Sequence, residues 1–199
     1  MNNYPTTIKN LINCFKKLPG IGEKNAERLA LSILNMNDED VSLFSTSLLD
    51  MKKKIKRCSI CNYYSESDIC SICLDKNRDE SIICVVETPK NVALFEKMGS
   101  YNGLYHVLDG LISPLDGINP EDININELLE RIKNNKVKEV IIAVKPTIEG
   151  ETTSLYISKI LQGLGVKITK IAHGIPLGTD MEYIDTLTLE LAIADRSEI

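Results

Sequence analysis

Residues 58–73 hold four of the chain's six cysteines in two tight pairs, Cys58-x2-Cys61 and Cys70-x2-Cys73, with eight residues between the pairs. Each pair, carried on a turn, can aim two thiolates at one centre, and together they offer the four soft ligands of a tetrahedral Zn²⁺. A disulfide framework would need an oxidising compartment. The opening MNNYPTTIKN has no apolar secretory core, so a cytoplasmic setting is expected. A redox Cys-x2-Cys would need only one pair. The spacing therefore predicts one structural zinc ion per chain, held by Cys58, Cys61, Cys70 and Cys73, in a knuckle too short to own a core. Four thiolates leave no open coordination position, so the metal is not expected to catalyse. Cys14 and Cys84 lie in apolar stretches and are expected to be plain core residues.

A second stretch with chemistry in it is LPGIGEKNAERLA, residues 18–30. Gly20 and Gly22 allow a sharp turn whose amides point outward at the start of the next helix, a geometry that suits a phosphate oxygen. Lys24 and Arg28 follow at i, i+4 and can flank the same phosphate. Glu23 works against it. The stretch resembles a helix–hairpin–helix motif, a binder of the DNA backbone that ignores sequence. The alternative is an ordinary turn between packed helices. Lys52, Lys53, Lys54, Lys56 and Arg57 either extend a basic track or form a solvated helix end.

The elements that carry these residues follow from periodicity. Ile8, Leu11, Ile12, Phe15 and Leu18 recur at helical spacing, as do Ala26, Leu29, Ala30, Ile33 and Leu34. A third helix is expected from about Asp38 to Lys56, capped by Asn37 or Asp38, with Val41, Phe44, Leu48, Met51 and Ile55 inward. After the cysteines the pattern changes. SIICVVE, GLYHVL, EVIIAV and VKITKIA read as strands, and PKNVALFEKMG, INELLERIKNN and ETTSLYISKILQGLG as helices between them. Such alternation implies βαβ units and a mostly parallel sheet from about residue 80. The fold class is thus mixed, a helical head and a cysteine knuckle followed by an α/β body.

Charge is uneven. Residues 1–57 carry ten Lys and Arg against six Asp and Glu, whereas the remainder carries thirteen against twenty-two, for a net charge of −5. A basic front on an acidic body permits nucleic-acid contact at one end. No stretch approaches the roughly 20 apolar residues of a membrane span. The absence of a Gly-x4-Gly-Lys loop gives no support for ATP hydrolysis. With no Trp and few aromatics, base stacking is not the expected grip on DNA. His106 in an apolar strand and His173 beside a Gly-Ile-Pro turn are expected to be packing residues rather than bases or ligands.

Read in order, LPGIG, the four cysteines, CVVE, GLYHVLDGLISPLDGI, PTIEGETT, AHGIPLG and EYIDTLTLELAIADR resemble the RecR family of bacterial recombination mediators over nearly the whole chain. The resemblance implies a helix–hairpin–helix head at 1–57, a four-cysteine zinc finger at 58–79, a Toprim domain at 80–175 and a C-terminal oligomerisation segment at 176–199. It further implies homodimers and ring-shaped tetramers that encircle single- or double-stranded DNA without regard to sequence. RecO is the implied partner, with RecF as a further candidate, and the implied task is loading RecA onto single strands coated by single-strand-binding protein.

Active Toprim domains use a Glu at the first strand end and an Asp-x-Asp pair at a later one, because Mg²⁺ needs several carboxylates. Glu87 matches the first position. The later stretch reads KPTIEGE, with Glu149 and Glu151 but no Asp-x-Asp, and Lys145 stands where the family has Asn. The expectation is a non-enzymatic domain in which Glu87, Glu149 and Glu151 form an acidic partner surface. The alternative is a Mg²⁺-dependent Toprim nuclease or topoisomerase.

Overall fold

In the computed structural model Thr6–Lys16 and Glu23–Ile33 form helices α1 and α2, joined by the Leu18–Gly22 turn. Described are residues 4–134, 136–172, 174, 175, 178–194 and 196, so His173 lies outside them. The chain divides into two units, residues 1–55 and 56–199. In the first, α1 and α2 share a small core in which Ile12, Ala26 and Ala30 are buried. Small Ala side chains on α2 let the two helices approach closely. Leu18 and Leu34, expected on the inner faces, are exposed, because each lies past the last full turn of its helix. Cys14 is exposed rather than a core residue.

Helix α3 spans Asp38–Lys54 and is capped as its sequence predicts, the Asn37 side chain accepting a hydrogen bond from the Asp40 amide at 2.7 Å. Three acids in its first turn and three lysines in its last match the helix dipole. Its apolar stripe does not turn inward. Phe44, Leu48 and Met51 are 42, 57 and 70% exposed, and α3 buries no residue at all. The periodicity is real, but the small α1–α2 core offers it no surface within the unit.

The second unit opens with a two-residue ribbon, β1 (Lys56–Arg57) against β2 (Tyr64–Ser65), and a one-turn helix α4 (Ser71–Leu74). Lys56 and Arg57 are therefore a strand of the knuckle, not a solvated helix end. Then come β3 (Asp79–Val86), α5 (Pro89–Met98), β4 (Gly103–Val107), α6 (Ile125–Asn134), β5 (Glu139–Ala143), α7 (Ile148–Leu161), β6 (Lys167–Lys170) and α8 (Thr186–Ala194). The strands form one fully parallel sheet in the order β4-β3-β5-β6. Helix α5 shows why its boundaries were readable: Thr88 caps it in a box with Asn91, Pro89 opens it, and Gly99 closes it at φ 72°.

Alternation along β3 sorts the core into two layers. Ile83 and Val85 pack with Leu128 and Ile132 of α6 and with Ile157 and Leu161 of α7. Cys84 and Val86 face the other way, toward Val92 of α5 and toward Cys58, Cys61, Cys70 and Ile72. A parallel sheet must be covered on both faces. Here the cysteine knuckle supplies part of the second cover, where a helix would otherwise lie.

Candidate functional site

The four cysteine sulfurs converge, all within 4.8 Å of one another. Cys61 and Cys70 Sγ are 3.5 Å apart, far beyond the ~2.05 Å of a disulfide. A tetrahedron of Zn–S bonds of about 2.3 Å sets its sulfurs about 3.8 Å apart, so the donor set and its spacing fit zinc. Local backbone makes the convergence. The Cys58 amide donates to Tyr63 O and the Asn62 amide to Cys58 O, closing the first turn through Asn62 at φ 60°. The second turn enters α4, and the Cys70 amide donates to Cys58 Sγ at 3.3 Å. Hydrogen bonds from the Cys61 and Cys73 thiols hold Cys70 well below the ordinary thiol range, while the bond to Cys70 pushes Cys61 far above it. One thiolate is favoured, while Cys61 and Cys73 hold their protons unless a dication takes up the shared charge. Cys84, by contrast, lies outside the cluster, and burial alone pushes it up to about 12. It is the plain core residue expected.

The knuckle is fastened to the sheet by contacts that spacing could not announce. The Val107 amide donates to Cys61 O at 2.9 Å, and Asn62 Nδ2 donates to Val107 O at 3.2 Å. Arg57 pairs with Asp109 at 2.8 Å and lies 5.0 Å over the Tyr64 ring.

In the first unit, Gly20 sits at φ 79°, a conformation that favours glycine. Gly22 precedes α2 with no side chain to cap it, leaving first-turn amides to solvent or an anion. Lys24 and Arg28 are both exposed, one helical turn apart on one face. The two acids nearby are engaged: Glu23 pairs with Lys16, and Glu27 accepts from Tyr4 Oη at 2.6 Å.

Glu87 follows β3 and Lys145 follows β5, at the carboxyl edge where the strand order reverses. In open α/β sheets that point is where ligands bind. The two side chains form an ion pair, Lys145 Nζ to Glu87 Oε1, at 3.3 Å. Glu149 and Glu151 stand in the first turn of α7, and Glu151 is paired with Lys170 at 2.7 Å. Among the described residues, the cysteines alone gather three or more potential metal ligands, so the glutamates are not assembled as a metal centre. Gly150 has a steric reason: a Cβ there would overlap the Lys145 carbonyl oxygen.

His106 is buried in β4 and donates from Nε2 to Asn124 O at 2.7 Å, a packing role as expected. Burial lowers its pKa to about 4 from 6.5, with Arg131 adding to the effect. The folded protein thus holds His106 neutral while the unfolded chain already takes up a proton. Its contribution is complete above pH 6.5 and is lost as pH falls from 6.5 to 4. His106→Gln, which keeps a donor for Asn124, is expected to remove that limb when urea stability is compared with wild type from pH 4 to 8. A difference that does not vary with pH would contradict it.

Sequence reasoning missed Arg57, Asp109 and Lys16 as partners. Arg57 and Asp109 are 52 residues apart and belong to no local pattern; Asp109, at φ 66°, lies two residues beyond β4, where a carboxylate is ordinary. No described helix is long and apolar enough to cross a membrane.

Family models match the chain in sequence. They are the RecR helix-hairpin-helix over residues 8–52, the RecR four-cysteine zinc finger domain over 55–75, the Toprim domain over 81–172 and the RecR C-terminal segment over 174–197. Curated relatives named recombination protein RecR, from Staphylococcus aureus strains MRSA252, Newman and USA300, are each 52% identical over 197 residues. Each alignment covers 99% of this chain and 100% of the relative.

Proposed function

Since the chain belongs to the RecR family of recombination proteins, we propose that it is a DNA-repair mediator that handles DNA without cutting it. With RecO, and with RecF as a further partner, it would help load RecA onto single strands coated by single-strand-binding protein. One observation carries the non-enzymatic half of this reading. The sheet edge where a Toprim enzyme gathers carboxylates around Mg²⁺ holds the Glu87–Lys145 ion pair instead.

In this reading Cys58, Cys61, Cys70 and Cys73 hold one structural Zn²⁺, and Lys24, Arg28 and the amides beyond Gly20 and Gly22 hold DNA phosphates. Glu87, Glu149 and Glu151 belong to an acidic partner surface. Residues 1–57, 58–79, 80–175 and 176–199 serve as head, finger, Toprim body and oligomerisation segment. The apolar face of α3 and the largely apolar α8, with Leu187 and Ile193 exposed, support pairing of heads and of C-terminal segments into a ring. A ring also accommodates the net charge of −5, because encirclement requires a basic lining rather than a basic whole.

The test is the single-strand-dependent ATPase of RecA on DNA coated with single-strand-binding protein, with RecO, in the presence and absence of this chain. Adding the chain should raise the rate. No rise with folded, zinc-loaded protein overturns the mediator reading, and Mg²⁺-dependent strand cleavage that disappears in Glu87→Gln would replace it with a nuclease.

A further inference from the structure

Between β4 and α6 runs a 17-residue connection, Leu108–Asn124, long for a compact α/β domain, where such loops usually carry function. Its ends are tied together, the Asn124 amide and Nδ2 both donating to Leu108 O at 2.9 and 3.0 Å. Its base is part of the core: Leu111, Ile112 and Ile123 are buried, and the Ile112 amide donates to Thr153 Oγ1 of α7 at 2.9 Å. Its tip is equally fixed. Ser113 and Ile118 exchange both backbone hydrogen bonds, at 3.0 and 2.9 Å, Ser113 Oγ donates to Asp116 Oδ2 at 2.6 Å, and Gly117 turns at φ 74°. On this rigid turn Leu115 is 101% exposed. A mobile loop could fold its leucine down; this one cannot.

We infer that the Ser113–Gly117 turn is a docking tooth for a protein partner that presents an apolar socket rimmed by lysine and arginine. Charge selects this occupant. No Lys or Arg occurs from residue 107 through 130, and Asp116, Glu121 and Asp122 have no cation within ion-pair distance among the described residues. Such a surface repels a nucleic-acid backbone and an anionic membrane. It also repels the like-charged body of a second copy, since residues 58–199 carry a net −9. A pre-shaped turn loses little entropy on docking, so the leucine's burial counts almost fully toward affinity.

The inference rests on the mediator reading through its probe, purified RecO. Full-length zinc-loaded chain is titrated with RecO by calorimetry at two salt concentrations, alongside Leu115→Ala, Leu115→Asp and Glu121→Gln. Leu115→Ala should weaken binding about 10-fold and Leu115→Asp about 100-fold, as expected for an apolar side chain buried at the contact. Glu121→Gln should flatten the salt dependence. Melting temperature, oligomeric state and DNA affinity should not change, because Leu115 touches no core. Unaltered RecO affinity in Leu115→Asp overturns the inference alone, and an altered oligomer or altered DNA affinity overturns it by naming a different occupant. Failure of the wild-type chain to bind RecO overturns the mediator reading together with it.

Discussion

Cys61→Ser is expected to lose its zinc, from one ion per chain to nearly none, and with it the cooperative fold of residues 56–199. Cys61 is the hinge of two structures. Its sulfur is one of the four converging ligands, 3.5 Å from Cys70 Sγ. Its carbonyl accepts the Val107 amide of the edge strand β4 at 2.9 Å, so the ligand turn is also a sheet contact. Serine supplies no soft ligand, and a three-thiolate remnant holds zinc far less tightly. Structural zinc contributes on the order of 10 kcal/mol to such a site, comparable with the whole stability of a domain at about 5–15 kcal/mol. The knuckle has almost no apolar core to fall back on, because its buried apolar side chains are Cys58, Cys61, Cys70 and Ile72. Once it loosens, Val86, Tyr105 and Val107 lose part of their cover. Metal content by emission spectroscopy and thermal unfolding by circular dichroism check this. The α1–α2 pair has a separate core, so a residual helical signal should survive. Full zinc occupancy in the variant, or an unchanged melting temperature, would show that the cluster is not the fastener proposed.

What the sequence could and could not reveal follows one physical line. Features held by local rules were readable. The Cys-x2-Cys turns, the Thr88–Pro89…Gly99 bounds of α5 and the Asn37 cap of α3 each depend on residues a few positions apart. So were the central strands β3 and β5, because a strand flanked on both sides and covered on both faces carries a nearly continuous apolar run. Features set by distant meetings were not. Arg57 finds Asp109, and Lys145 finds Glu87, only after the sheet has formed. The same logic explains α3. Helical periodicity says that a face wants burial, but nothing in it says whether the covering surface lies in the same chain. Phe44, Leu48 and Met51 show a face the first unit leaves bare.

Lys24→Ala combined with Arg28→Ala is expected to weaken DNA binding about 25-fold at 0.1 M salt and to leave the fold untouched. Each cation that neutralises a phosphate of a single strand adds roughly 0.7 to the slope of log affinity against log salt. Losing two lowers the slope by about 1.4, which at 0.1 M salt is the ~25-fold loss. The local setting favours full contributions from both. They are exposed and one turn apart, and the competing carboxylates of Glu23 and Glu27 are occupied by Lys16 and the Tyr4 hydroxyl. Gly22 leaves the first-turn amides of α2 uncapped, so a phosphate seated between the cations also meets backbone donors. Neither side chain belongs to the Ile12–Ala26–Ala30 core, so melting temperature and assembly should match wild type. Fluorescence anisotropy on a labelled oligonucleotide, from 50 to 300 mM salt, reads both quantities at once. A weaker affinity with an unchanged slope would mean that the substitutions act through shape rather than charge. An unchanged affinity would return the LPGIG turn to an ordinary connection between packed helices, and the search for the DNA surface would move to the lysines that end α3.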